Sequence, residues 1–219
     1  MINFFFIRKR RMLTQKLIQA FPKEYRDDVI LVCKRLSLSA MSYSGKIYTE
    51  EAAGWRLSSG EKVKVPYRIY LKDGDARFDR SLTPRQAMIY HCIFSRCDNG
   101  YVREKHIHAL LAAEPPEWVI PYVIQLCSEY VAEILQAVYD FLHVRDCKEY
   151  RIFCKRNFGS FKLGHCRMIS YWNEFYRYGC DTRTMLEKSC TPNASATVKP
   201  VRNRLISDKR STYYEKDRY

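Results

Sequence analysis

The sequence predicts a mainly α fold of helical hairpins with one small β-hairpin, and three observations carry that expectation. Apolar side chains recur at helical spacing through residues 12–40 and 83–179. The period changes to two at Val63, Val65, Tyr67, Ile69 and Leu71. Start and stop signals then cut the second helical stretch into separate pieces: Thr83-Pro84-Arg85-Gln86, Asp98-Asn99-Gly100 and Glu114-Pro115-Pro116.

Residues 1–11 read as a basic N-terminal extension, Phe4-Phe5-Phe6-Ile7 followed by Arg8-Lys9-Arg10-Arg11. The charges follow the apolar run, the reverse of a secretory signal. Met12 is an alternative start to Met1. Residues 12–82 are expected to hold two short helices and the hairpin, packed on the core. In the second helix Tyr25, Val29, Val32, Cys33 and Leu36 share one face, with Pro22 suited to its first turn. Residues 41–53 read as a connector. Trp55 and Leu57, a turn at Ser58-Ser59-Gly60 and the alternating run after it predict the hairpin. Pro66 lacks an N–H to donate, which marks its strand as an edge. Three aspartates follow, Asp73, Asp75 and Asp79. Counted from Asp73, Gly74 falls at position 2 where a calcium loop has its glycine at 6, and Arg77 stands at position 5 where it needs an oxygen ligand, so this segment reads as a polar turn.

Residues 83–188 read as the helical core. Thr83 and Gln86 make a capping box with Pro84 in the first turn. Ala87, Tyr90, Ile93, Phe94 and Cys97 line one helix, and Val102, His106, Ala109 and Leu110 line the next. From Trp118 to Leu142 apolar residues again recur helically, with a break near Ser128-Glu129. Residues 145–179 continue as helix divided at Gly159-Ser160. Residues 189–219 hold few apolar side chains and read as a mobile basic tail.

Charge bounds the function classes. The chain has 38 Lys and Arg against 24 Asp and Glu, for a net +14. The excess lies toward the two ends, since residues 83–158 carry nine basic and nine acidic side chains. A basic protein with basic ends suits phosphate backbones through counterion release. Apolar runs fall short of a membrane span. Nine cysteines, an odd number, suggest reduced thiols and a cytoplasmic location.

Motifs for chemistry are sparse. There is no P-loop, dinucleotide fingerprint, nucleophile elbow or zincin motif. Cys92 and Cys97 with His106 and His108, His143 and Cys147 with Cys154, and His165-Cys166 are metal-ligand types, but no CxxC pair joins them. Small buried apolar thiols are the plainer reading. A Cys–His nucleophile would need partners in space, and His91-Cys92 and His165-Cys166, as sequence neighbours on a helix, point apart. No catalytic residue, metal ligand or cofactor is therefore assigned. The candidate nucleic-acid contacts are Arg151, Lys155, Arg156, Lys162, Arg167, Tyr171 and Arg177, cations interleaved with aromatics that would stack bases.

Asp98-Asn99-Gly100-Tyr101-Val102-Arg103-Glu104, with Leu110 after it, resembles the turn and second helix of a HEAT-like repeat. Val102, Arg103 and Leu110 stand at matching positions, and His106 stands where the family usually has Ala. The resemblance covers residues 83–142, with 118–142 as a degenerate second unit. The helical core at large also resembles those of bacterial proteins. A HEAT-like surface implies binding to another macromolecule and no chemistry of its own. The sequence thus points first to a non-enzymatic protein-interaction or adaptor role. The alternatives are nucleic-acid binding through the aromatic-basic segment and tail, and a metal- or Cys-dependent enzyme.

Overall fold

A computed structural model describes residues 2–36, 47–71 and 81–175. The order of elements is α1 (Ile2–Ile18), α2 (Arg26–Arg35), β1 (Ala52–Arg56), β2 (Lys62–Pro66), α3 (Pro84–Phe94), α4 (Gly100–Ala112), α5 (Ile120–Leu126), α6 (Ala132–His143), α7 (Lys148–Arg156) and α8 (Phe158–Phe175). Short 3-10 turns precede α2 and α5. The fold is mainly α with one two-stranded antiparallel hairpin. Among the described residues no helix is long and apolar enough to cross a membrane.

The chain begins its first helix at Ile2, so α1 runs through position 11 instead of starting after it. Leu13 and Leu17 bury its inner face, while Arg8, Arg11 and Met12 stay exposed. Pro22 lies just before a 3-10 turn, and α2 then buries Val29, Val32 and Cys33, as its spacing predicts.

In the hairpin, Trp55 lies opposite Val63 and Ala52 opposite Pro66. Gly60 closes the turn at φ 85°, a conformation that glycine enters without a Cβ clash. The regular strand stops at Pro66, which is itself buried, and Tyr67 is half-buried like Arg68, so the alternation breaks there and resumes with Ile69 and Leu71 buried and Tyr70 half-buried. The apolar face closes on helices. The Trp55 ring lies 5.6 Å from that of Phe153 on α7, and its Nε1 donates to Gln125 Oε1 at 3.1 Å.

The capping box forms. Thr83 Oγ1 accepts from the Gln86 N–H, and Gln86 Oε1 accepts from the Thr83 N–H, both at 3.3 Å. Asn99 ends the break and caps α4 by accepting from the Tyr101 and Val102 N–H groups. Residues 127–131 separate α5 from α6, at the break expected near Ser128-Glu129. The break between α7 and α8 falls at Asn157, two residues before Gly159. The Asn157 side chain donates to the Arg56 and Phe153 carbonyls and accepts from the Arg56 N–H. This tertiary anchor sets the corner, and Gly159 sits within α8. The Asp73–Asp79 turn, Arg177 and the segment 189–219 lie outside the described residues.

Candidate functional site

Backbone pairing after β2 gathers the site. The Ile69 N–H donates to the Arg96 carbonyl at 2.7 Å, and the Asp98 N–H donates to the Ile69 carbonyl at 2.9 Å. Residues 67–71 are thereby laced to the turn that follows α3. On the other side Tyr48 bridges to Ile69, and the Arg68 N–H donates to Thr49 Oγ1 at 3.1 Å. Arg68 and Arg96 are thus brought side by side although 27 residues of sequence separate them.

Both reach Glu129 in the α5–α6 connection. Arg68 grips it in bidentate fashion, Nη1 to Oε1 at 2.8 Å and Nη2 to Oε2 at 2.7 Å. Arg96 Nη2 donates to Oε1 at 3.1 Å and to the Tyr67 carbonyl at 2.9 Å. Arg103 of α4 brings its Nη2 within 3.4 Å of Oε2, close enough to attract but not aligned to hydrogen bond. Its Nη1 instead donates to the Cys97 and Asp98 carbonyls, both at 2.8 Å, and staples the α3–α4 turn.

Three guanidinium groups therefore share one carboxylate. The side chains of Arg96, Arg103 and Glu129 are at most 1% exposed, and that of Arg68 is 22% exposed. Burial draws the Arg96 guanidinium down to about 10; Glu129 works against that fall, while Arg68 and Arg103 add to it. Burial pushes the Glu129 carboxyl up, but Arg96, Arg68 and Arg103 together outweigh it and hold it below its usual value. Arg96 Nε and Nη1 remain buried without a hydrogen-bond partner. Buried polar groups are rarely left so, and buried cations more rarely still.

Above this quartet lies a cavity of about 640 Å³. Arg68 and Arg96 contribute to its wall, with Met12 of α1, Ser128, and Thr49, Glu50 and Glu51 of the segment before β1. Among the described residues four tyrosines line it: Tyr48, Tyr67, Tyr70 and Tyr171, all half-buried. Arg167 and Tyr171, one turn apart on α8, close the last side. The Arg167 guanidinium lies 4.1 Å from the centre of the Tyr67 ring, a cation–π stack.

The candidate residues named from sequence divide between two places. Arg167 and Tyr171 line the cavity. Arg151, Lys155, Arg156 and Lys162 do not. Arg151 pairs with Asp146 at 3.8 Å and Arg156 with Glu117 at 3.5 Å, while Lys155 and Lys162 are exposed. The sequence reading missed Arg68, Arg96, Arg103 and Glu129. A faint signal exists, since Arg96 and Glu129 each stand at a break between apolar helical stretches, but it names no partner.

Among the described residues, no three His, Cys, Asp or Glu side chains gather as a metal group. Cys33, Cys92, Cys97, Cys127, Cys147 and Cys154 are buried. Burial raises the Cys33 and Cys127 thiols to about 12 and Cys97 to about 11, the opposite of what a nucleophile needs. His91 and His106 meet through their Nδ1 atoms at 2.9 Å, with the His106 ring stacked on Phe94. Compared with known proteins, the chain matches no family model, no curated protein and no solved structure.

Proposed function

We propose that this chain is a binding protein for an anionic ligand, taken into the cavity above Arg68 and Arg96. One observation carries the reading: three arginines, two of them fully buried, stand against one carboxylate. Uncompensated buried charge is costly, and an anion in the cavity would offset it. Arg68 is suited to the contact because it is the one partly exposed member of the quartet and also forms part of the cavity wall. Guanidinium forks match phosphate and carboxylate oxygens geometrically. This reading departs from the protein-interaction role to which the sequence points first and shares with its nucleic-acid alternative only an anionic ligand. It moves the anion contact from Arg151, Lys155, Arg156 and Lys162 to the cavity, with Arg167 and Tyr171 retained.

The test is thermal unfolding of the full chain in phosphate and in chloride at matched ionic strength. A ligand that binds only the native state raises the melting temperature with its concentration. The expected result is a rise in phosphate that Arg68→Met abolishes. Equal melting temperatures in both salts, for wild type and variant alike, would remove the reading.

A further inference from the structure

We infer that the cavity takes a nucleoside phosphate, with the phosphate at Arg68 and Arg96 and the base among the tyrosines beside Arg167. This rests on the anion-binding reading and names its ligand class.

Size is the first argument. A cavity of about 640 Å³ is far larger than an inorganic anion needs and lies within the range of small-molecule sites. Its lining is the second. Tyr48, Tyr67, Tyr70 and Tyr171 present rings that are neither buried nor fully exposed. Tyrosine rings offer flat apolar faces to a planar, weakly polar group, and bases stack on such faces without regard to identity. The Tyr67 ring already carries one planar partner, the Arg167 guanidinium at 4.1 Å.

The order of charge is the third argument. The cations that line it lie deepest, with Arg96 almost wholly buried and Arg68 and Arg167 half-buried. Carboxylates lie among the exposed lining residues, Glu50 and Glu51. A polyphosphate lying along these two acids would meet repulsion from them. A ligand with one compact anionic end and a neutral end rich in donors would not. Ribose hydroxyls and exocyclic amines are such donors, and carboxylates accept from them. A sugar phosphate would satisfy the charge order but bring no planar face to the tyrosines.

Free nucleoside monophosphates and the 5′-phosphorylated end of a short strand share this chemistry. The experiment is isothermal titration of the full chain with AMP, CMP, GMP and UMP, inorganic phosphate, ribose 5-phosphate, adenosine, and a 5′-phosphorylated tetranucleotide. At least one monophosphate is expected to bind ten or more times tighter than phosphate, ribose 5-phosphate or adenosine. Arg68→Met and Tyr171→Leu should each weaken that binding at least tenfold, with circular dichroism unchanged; Arg68→Lys, which keeps the charge, should weaken it less. If the tetranucleotide binds tighter than every monophosphate, the source is a strand end and the ligand class stands. If phosphate binds as tightly as the monophosphates, the nucleoside is overturned and the anion reading survives. If the monophosphates bind and both variants bind as wild type, the placement in this cavity is overturned. If neither phosphate nor any monophosphate binds, both readings fall.

Discussion

Two groups of arginines among the described residues handle charge in opposite ways. On α7 each arginine near the surface has an acid of its own: Arg151 with Asp146 and Arg156 with Glu117, side chains from 28% to 78% exposed. At the base of the cavity, Arg68, Arg96 and Arg103 share Glu129, and all but Arg68 are almost wholly buried. The first arrangement is solvated and nearly free of consequence for stability. The second removes charge from water without balancing it. A net charge of +14 therefore says less about binding than the place where cations outnumber their partners.

The contrast is broken most severely at Glu129. Glu129→Gln leaves three cations without a counter-charge, two of them buried, and should destabilise the fold by about 3–5 kcal/mol, read as a fall in the urea midpoint. Arg96→Met removes one donor but leaves Glu129 held by two arginines. Its cost should be about 1.5–3 kcal/mol, the order of a hydrogen bond to a charged group. If Arg96→Met proved the more damaging of the two, the charge count above would be wrong. At the surface, Arg151→Ala and Arg156→Ala should each change stability by less than about 1 kcal/mol.

pH sharpens the same comparison. The Glu129 carboxyl is held below its ordinary value of 4.5 in the fold, so its contribution is full above that value and is lost as pH falls through the folded value. Glu129→Gln should flatten this acid limb of the stability curve, and the surface variants should not. Above pH 9 the buried thiols act. Their folded values lie above the ordinary 9.0, at about 11 for Cys97 and about 12 for Cys33 and Cys127, so the unfolded chain ionises first and stability falls as pH rises through that window. Arg96, held at about 10, works in the opposite sense, but it is one group against several. Denaturation midpoints from pH 3 to 11 would test both limbs.

What could be read from the sequence was local. Thr83 and Gln86 cap α3 because three residues suffice to make the motif, and the hairpin's apolar face follows from a period of two. The corner at Asn157 was not legible, because it depends on a side chain that binds Arg56 about a hundred residues away. The quartet was illegible for the same reason. Its members come from the stretch after β2, the turn after α3, α4 and the α5–α6 connection, and no spacing along the chain links them. The balanced charge of residues 83–158 also conceals that three of the four lie there. Arg167 and Tyr171 are named from the interleaving of cations with aromatics along their segment, while the cavity they line is out of reach of the sequence.

The central claim is that excess buried charge prepares this cavity for an anion, and phosphate-dependent stabilisation across three proteins tests it most directly. The urea midpoint would be followed against phosphate concentration at constant ionic strength for wild type, Glu129→Gln and Arg68→Met. Removing the competing carboxylate should make phosphate stabilise Glu129→Gln more than wild type, although that variant is the less stable without it. Arg68→Met should gain little or nothing. Equal phosphate responses in all three proteins would contradict the account.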